Sequence, residues 1–353
     1  RISEAKTLKK EELIRRLELG GVKNRVVAIS ENFSLLVAER GGRVLGIFED
    51  GRPDNLLWTA PQLREERTAA DFLKSTAWNY GGDRLWFGPE IRYSVSDRQR
   101  FWETLHTPEA IDPGQYWMSD DGCTAVQDVT ITTQDGTAAT AAFRVWKTVS
   151  VCPDPLRCMP NAAALRRGVD FGGFTQTIRV EGSGAAVEPW SLLQVMPGGK
   201  IYIPMYAPER GTDYYEPAAP FETVREHCAV LEATGRDRYK VGYHAAAVTG
   251  RLGYACRWNG RCCLLVRNFP NDPEGRYEEE PPLRPGVRGF SVHIYNDGGP
   301  VDGFSEIECS LSALFGDGGR TAGVDAISTW LYAGEEASLK EIGRTLLGCE
   351  VEF

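Results

Sequence analysis

The sequence predicts an all-β protein of antiparallel strands, and three observations predict it. Short runs rich in β-branched and aromatic residues recur along most of the chain, each broken by turn residues. Apolar side chains alternate within them, as around Val126, Val129 and Ile131, the pattern of half-buried antiparallel strands. No strand-helix-strand rhythm appears, which argues against a parallel sheet. With no repeat of fixed period and no linker, the 353 residues read as one domain over 1–353.

The first element is an exception to the β pattern. "SEAKTLKKEELIRRLELGG" reads as an amphipathic helix over about 4–19, capped by Ser3, with Glu11 and Glu12 four residues before Arg15 and Arg16, and stopped by Gly20 and Gly21. "RVVAIS", "SLLVAE" and "GRVLGIF" then open a meander, with Gly41 and Gly42 as a tight turn. Residues 60–76 hold a polar helix or a long loop. "NYGGDRLWFGPE", residues 79–90, reads as a corner at a sheet rim, because Gly81 and Gly82 contribute nothing to a packed strand. Strand runs follow: "AVQDVTITTQ", "TAAFRVWKTVSV", "FTQTIRVEG", "SLLQVMPGGKIYIPM", "YACRWNGRCCLLVRNF", "FSVHIYNDGG" and "FSEIECSLSAL". The polar stretch 270–289 reads as a solvated surface loop. A helix over about 335–347 ends at Gly348, and "CEVEF" reads as a short final strand.

Composition excludes several function classes. A net charge of −9 and a pI near 5.2 oppose a nucleic-acid partner, which requires a basic face. No apolar stretch approaches the length of a membrane span, so no membrane partner is expected. Neither a G-x-G-x-x-G turn, a P-loop, a G-x-S-x-G elbow nor an H-E-x-x-H helix occurs, so no cofactor is expected. The nine cysteines read mostly as buried free thiols, as in "GYACRW" and "RCCLLV", which favours a cytoplasmic compartment; the start at Arg1 leaves export after removal of a leader open. Cys152 and Cys158, flanking "PDPLR", are spaced to close a disulfide. No cysteine and histidine pattern fits zinc, and Glu278, Glu279 and Glu280 are consecutive and cannot all face one calcium, so no metal is expected.

Aromatics and carboxylates remain to carry the chemistry. Trp58, Trp78, Trp86, Trp102, Trp117 and Trp190 lie beside turn signals; indole faces suit the C–H faces of sugar rings, although any one ring taken alone is more often a core filler. In the glycine-rich corner, Asp83, Arg84 and Trp86 read as a hydrogen-bonding fork and a stacking plane toward one ligand. The competing reading has Asp83 and Arg84 pairing with other strands to hold the corner.

"NYGGDRLWFGPE", "WETLHTPEAID", "EPWSLLQVMPGGKIYIP", "VHIYNDGG" and "FSEIECSLSAL" with "STWLYAGEEASLKEIGRTLLG", in that order, resemble the galactose mutarotase-like superfamily, in its uncharacterised branches and not among the true aldose 1-epimerases. The resemblance runs over residues 22–350. It implies an antiparallel supersandwich with a saccharide on its concave face, and an isomerase in which a glutamate takes the anomeric proton while a histidine protonates the ring oxygen. Glu306 best matches the base, and Glu308 lies two residues on, on the same strand face. At the place of the family's histidine this chain reads "VEPWSLLQV", with Trp190 there and Gln194 nearby as a further sugar contact. His244 is the preferred substitute acid and His293 the other histidine set toward the site; His106 has the wrong neighbours and His227 no constellation. Three functions stay open: acid/base chemistry at an anomeric centre, a saccharide-binding or sensing module without chemistry, and a lyase or hydrolase using the same cleft.

Overall fold

The computed structural model describes residues 8–299 and 303–353. Two antiparallel sheets stack on one another. The first has nine strands, in spatial order β1 (Asn24–Ala28), β2 (Phe33–Ala38), β3 (Arg43–Glu49), β4 (Asp83–Gly88), β9 (Glu188–Val195), β18 (Ser305–Ser310), β17 (Phe290–Asn296), β14 (Tyr239–His244) and β11 (Thr212–Asp213). The second has ten: β12 (Glu222–Arg225), β13 (Cys228–Glu232), β10 (Lys200–Pro204), β15 (Arg251–Trp258), β16 (Arg261–Asn268), β19 (Ala322–Gly334), β8 (Val169–Gly184), β7 (Thr140–Val151), β6 (Thr124–Thr132) and β5 (Trp117–Met118). The antiparallel sandwich is the architecture the alternation implies.

The main core lies between the sheets. Leu85 and Phe87 of β4, Leu193 and Val195 of β9, and Ile307 and Cys309 of β18 join Val129, Phe143, Phe174, Ile178 and Leu265 of the second sheet. Side chains on a strand alternate between faces, so this packing sends Arg84, Trp86, Trp190, Gln194, Glu306 and Glu308 to the opposite face of the first sheet. Outside the second sheet, the helix Glu336–Leu347 buries Leu339, Ile342 and Leu346 against Tyr202, Leu264 and Tyr332. No helix among the described residues is long and apolar enough to cross a membrane.

Several sequence expectations change. The N-terminal helix is Lys10–Leu19, with Lys9 as its cap; Ser3 and residues 4–7 lie outside the described residues. Arg15 and Arg16 leave Glu11 and Glu12 and pair with Glu66 of the helix Glu66–Lys74, at 2.8 and 3.1 Å, because the two helices pack side by side. Residues 349–353 form no strand, and β19 was not among the strand runs read from the sequence. Cys152 and Cys158 are free thiols, as are the other seven cysteines. The 270–289 segment is a loop with exposed ends, but its middle is not solvated. Tyr277, Glu279 and Glu280 are buried, and Glu280 is held by Arg98 and by Arg288 at 2.8 Å.

The glycine-rich stretch leads into β4, which pairs with β9 along its length and with β3 only at Asp83, opposite Val44. Gly81 and Gly82 take φ of +110° and +82° and bring the chain down between β3 and β9. A Cβ on Gly82 would stand 2.5 Å from the Val44 carbonyl oxygen. Asp83 follows, wholly buried and turned toward the second sheet. Its carboxylate accepts from Ser191 Oγ at 2.9 Å, from Arg267 Nη2 at 3.2 Å and from the Gln176 amide. Arg267 lies on β16 and Gln176 on β8, so Asp83 ties the sheets together and is not a ligand contact.

Two stability measurements test this account. Gly82→Ala is expected to cost roughly 2 kcal/mol or more, since the added methyl meets backbone in a left-handed conformation. Asp83→Ala is expected to cost about 3–5 kcal/mol by leaving Arg267 buried without its carboxylate. Urea midpoints of both variants within error of the parent chain would contradict the assignments.

Candidate functional site

The outer face of the first sheet is organised in rows across the strands. Antiparallel register sets Lys240 opposite Tyr295, Tyr295 opposite Glu306, and Glu306 opposite Gln194. The next row reads Gly242, His293, Glu308, Leu192 and Arg84, and a third sets Ser310 beside Trp190 and Trp190 beside Trp86. Over these rows lies a cavity of about 240 Å³. Its walls are Trp78, Trp86, Trp102, Trp190, Tyr215 and Tyr295, and its polar groups are Asn79, Arg84, Glu90, Lys240, Asp297 and Glu306.

Glu306 is the best-held group on the floor. Its Oε1 accepts from Arg84 Nη2 at 2.7 Å and from Gln194 Nε2 at 2.9 Å. Asn79 Oδ1 in turn accepts from Arg84 Nη1 at 3.1 Å and from Gln194 Nε2 at 2.9 Å, which fixes both donors. No hydrogen bond from the described residues reaches Oε2. Burial raises the Glu306 pKa above the usual carboxylate range; the Arg84 and Lys240 charges and the Gln194 bond pull the other way without cancelling it. The Arg84 guanidinium lies 4.4 Å from the Trp86 ring centre and 4.8 Å from that of Trp78, so two indoles hold it in place. Trp86 is anchored by its Nε1–H to Asp112 Oδ2 at 2.8 Å.

Lys240 supplies the second charge. Its ammonium stands 4.3 Å from the Trp190 ring centre. Burial disfavours the charged form, but the surrounding carboxyls Glu308, Glu90, Glu279 and Glu306 outweigh it and raise the pKa, so Lys240 stays protonated. Glu308 lies beside it, fully buried. Neither of its oxygens has a hydrogen-bond partner, and the Lys240 Nζ is 3.9 Å away, beyond hydrogen bonding. Burial therefore pushes the Glu308 pKa up to about 8, and that carboxyl keeps its proton through neutrality. Glu308 contacts the Lys240 environment and does not line the cavity.

The two histidines go elsewhere. The register between β14 and β17 shifts here, with Ser291 of β17 as the extra residue, so that His244 pairs with Phe290. His244 stacks on Phe290 at 4.4 Å, bonds Glu209 through Nδ1, and faces a different hollow, four residues along β14 from Lys240. It is thus not placed as the acid partner of Glu306. His293 is buried under the floor, with Nε2 at 2.9 Å from Tyr214 Oη. Burial, and after it the Lys240 charge, hold its pKa well below the usual imidazole value, so it is neutral at physiological pH and out of contact with the cavity.

Of the residues singled out from sequence, Trp78, Arg84, Trp86, Trp102, Trp190 and Glu306 meet at the cavity, with Gln194 holding Glu306, while Trp58 and Trp117 lie elsewhere. Asp83, His244, His293 and Glu308 do not line it. Sequence reasoning missed Lys240, Glu90, Asn79, Tyr215 and Tyr295. Lys240 had a usable signal, since it lies on one strand with His244 and shares the even-numbered face. Among the described residues, no group of three or more His, Cys, Asp or Glu is arranged to hold a metal ion.

No family model and no curated protein sequence matches the chain. In fold it is similar to solved galactose mutarotase-like proteins. A galactose 1-epimerase from Lactobacillus acidophilus is 10% identical, with 89% of this chain and 95% of that one covered and a TM-score of 0.45. For a galactose mutarotase-like protein from Lactobacillus casei the values are 10%, 88%, 99% and 0.42. For an aldose epimerase homologue from C. elegans they are 9%, 88%, 98% and 0.42. Likenesses at this level carry no information about activity.

Glu308 makes a pH prediction. The folded protein holds its proton up to about pH 8, whereas the unfolded chain releases it near 4.5. The folded state binds more protons in between, so stability falls as pH rises across that window. Glu308→Gln is expected to flatten this slope in urea titrations from pH 5 to 8; an unchanged slope would place the proton elsewhere.

Proposed function

We propose that the aromatic cavity binds one sugar ring and that Glu306 acts as a base at its anomeric hydroxyl. The observation that supports this reading is a nearly buried carboxylate with one oxygen held by Arg84 and Gln194, on the floor of a cavity walled by four indoles. The indoles offer flat apolar faces to ring C–H groups, while Glu90 and Asp297 offer acceptors, and the Asn79 amide nitrogen a donor, to hydroxyls. Glu306 takes the anomeric O–H proton; the bond from the anomeric carbon to the ring oxygen breaks as the carbonyl forms. Lys240, kept protonated by its carboxyl neighbours, gives a proton to the ring oxygen as it becomes an alkoxide. Rotation about the bond next to the carbonyl and the reverse proton transfers close the ring as the other anomer.

A second reading is favoured by one observation. None of the four histidines lines the cavity, so the side chain best suited to exchange protons near neutrality is missing. On that reading the cavity binds a saccharide and leaves it unchanged.

Polarimetry of freshly dissolved aldoses separates the two. The first reading expects faster anomeric equilibration with the parent chain, a loss of about 10²-fold or more in Glu306→Gln, and a similar direction in Lys240→Met. It also expects the rate to fall as pH falls through the raised Glu306 pKa, because the protonated carboxyl is no base. Sugar binding by calorimetry without any rate acceleration would establish the second reading and sink the first.

A further inference from the structure

Beside the aromatic cavity lies a second hollow of about 490 Å³, walled by Glu216, Arg236, Arg238, Tyr295, Asp297 and Gly298 among others. Tyr295 and Asp297 belong to both cavities, and the Tyr295 hydroxyl donates to Asp297 Oδ1 at 3.1 Å, so one polar wall serves the two. Trp102 stands at the junction. It lines the first cavity, is 49% exposed, and carries the Arg238 guanidinium 4.2 Å from its ring centre. Arg238 is in turn clamped by Glu216, its Nε at 3.0 Å from both carboxylate oxygens. Arg236 is different: its guanidinium makes no hydrogen bond among the described residues, and it is exposed on the hollow.

The charges of the hollow balance, with Arg236 and Arg238 set against Glu216 and Asp297. A balanced set of planar donors and carboxylate acceptors suits hydroxyl groups, which donate and accept, better than it suits a phosphate or a carboxylate. Size points the same way. The aromatic cavity, at about 240 Å³, falls below the roughly 300–1,000 Å³ of sites that enclose a drug-sized ligand, so it takes a single ring, and the polar hollow has room for a second.

We propose that the polar hollow is a second saccharide subsite, and that the ligand is a neutral oligosaccharide of two or more rings. One end unit occupies the aromatic cavity; the next lies across the Tyr295 and Asp297 wall, against Trp102 and Arg236. The inference rests on the first cavity being a sugar site. Ring opening requires a free anomeric carbon, so the unit over Glu306 is the reducing end, and the chain leaves through one of its other hydroxyls.

Isothermal titration of the full chain with gluco-, galacto- and manno-configured monosaccharides, and with reducing disaccharides ending in each, tests the proposal. The expected result is one preferred configuration whose disaccharide binds about tenfold or more tightly than its monosaccharide. Arg236→Ala, and Arg236→Glu, which replaces the free donors by a charge of the opposite sign, are expected to erase that gain and leave monosaccharide affinity unchanged. Monosaccharide binding with no gain on lengthening, or a gain that survives both variants, would overturn the second subsite while leaving the first cavity's reading intact. Failure of every saccharide to bind would overturn both.

Discussion

The position of β4 is the constraint on which the candidate site depends, and a buried ion pair sets it. Asp83 reaches inward to Arg267 and Gln176 of the second sheet, and the next residue, Arg84, by strand alternation reaches outward to Glu306. Two adjacent residues thus join the sandwich to its outer cavity. A slip of one residue would turn Asp83 into the cavity and Arg84 into the apolar core, and both charges would lose their partners. The left-handed glycines ahead of Asp83 let β4 enter the sheet between β3 and β9 at that register.

Around the cavity floor the protein concentrates acids and leaves them few cations. Glu90, Glu188, Glu279, Glu306 and Glu308 are all buried. Glu188 is pushed up to about 7 and Glu279 well above the usual carboxylate range, in both cases chiefly by burial. Arg84 is committed to Glu306 at 2.7 Å, and Lys240 is shared among several carboxyls without a close bond to any. Protons must supply the remaining neutralisation. The result is one carboxylate held in place by fixed donors next to carboxyls that keep their protons, an arrangement in which neighbouring acids take different protonation states.

The aromatic walls have a structural role as well as a surface to offer. Trp78 and Trp86 meet edge to face at 5.1 Å, and Trp86 and Trp190 do so at 6.0 Å, so the indoles brace one another. The Arg84 guanidinium lies over the rings of Trp78 and Trp86, and the Lys240 ammonium over that of Trp190. The cations that set the electrostatics are therefore positioned by rings, and a ligand entering the cavity meets a rigid surface with its charges already placed.

Local pattern determined a large part of this protein. The alternation of apolar residues, the Gly41-Gly42 turn that joins β2 to β3, and the helix stopped at Gly348 in a left-handed conformation were all readable from neighbours in the chain. So was the shared face of Glu306 and Glu308, because a strand's period of two is a property of its backbone. Tertiary structure alone decided which face of β4 carried a ligand contact and which an inter-sheet tie, for both Asp83 and Arg84 are plausible in either place until the partner sheet is known. It also decided that His244 serves another hollow, where Phe290 stacks on it and Glu209 bonds it, for both partners come from outside its own strand. The loop 270–289 escaped the sequence for the same reason: charged residues read as solvated until Arg98 and Arg288, distant and near in the chain, are brought to Glu280. Periodicity is local and legible; the partner that neutralises a buried charge is chosen by the fold.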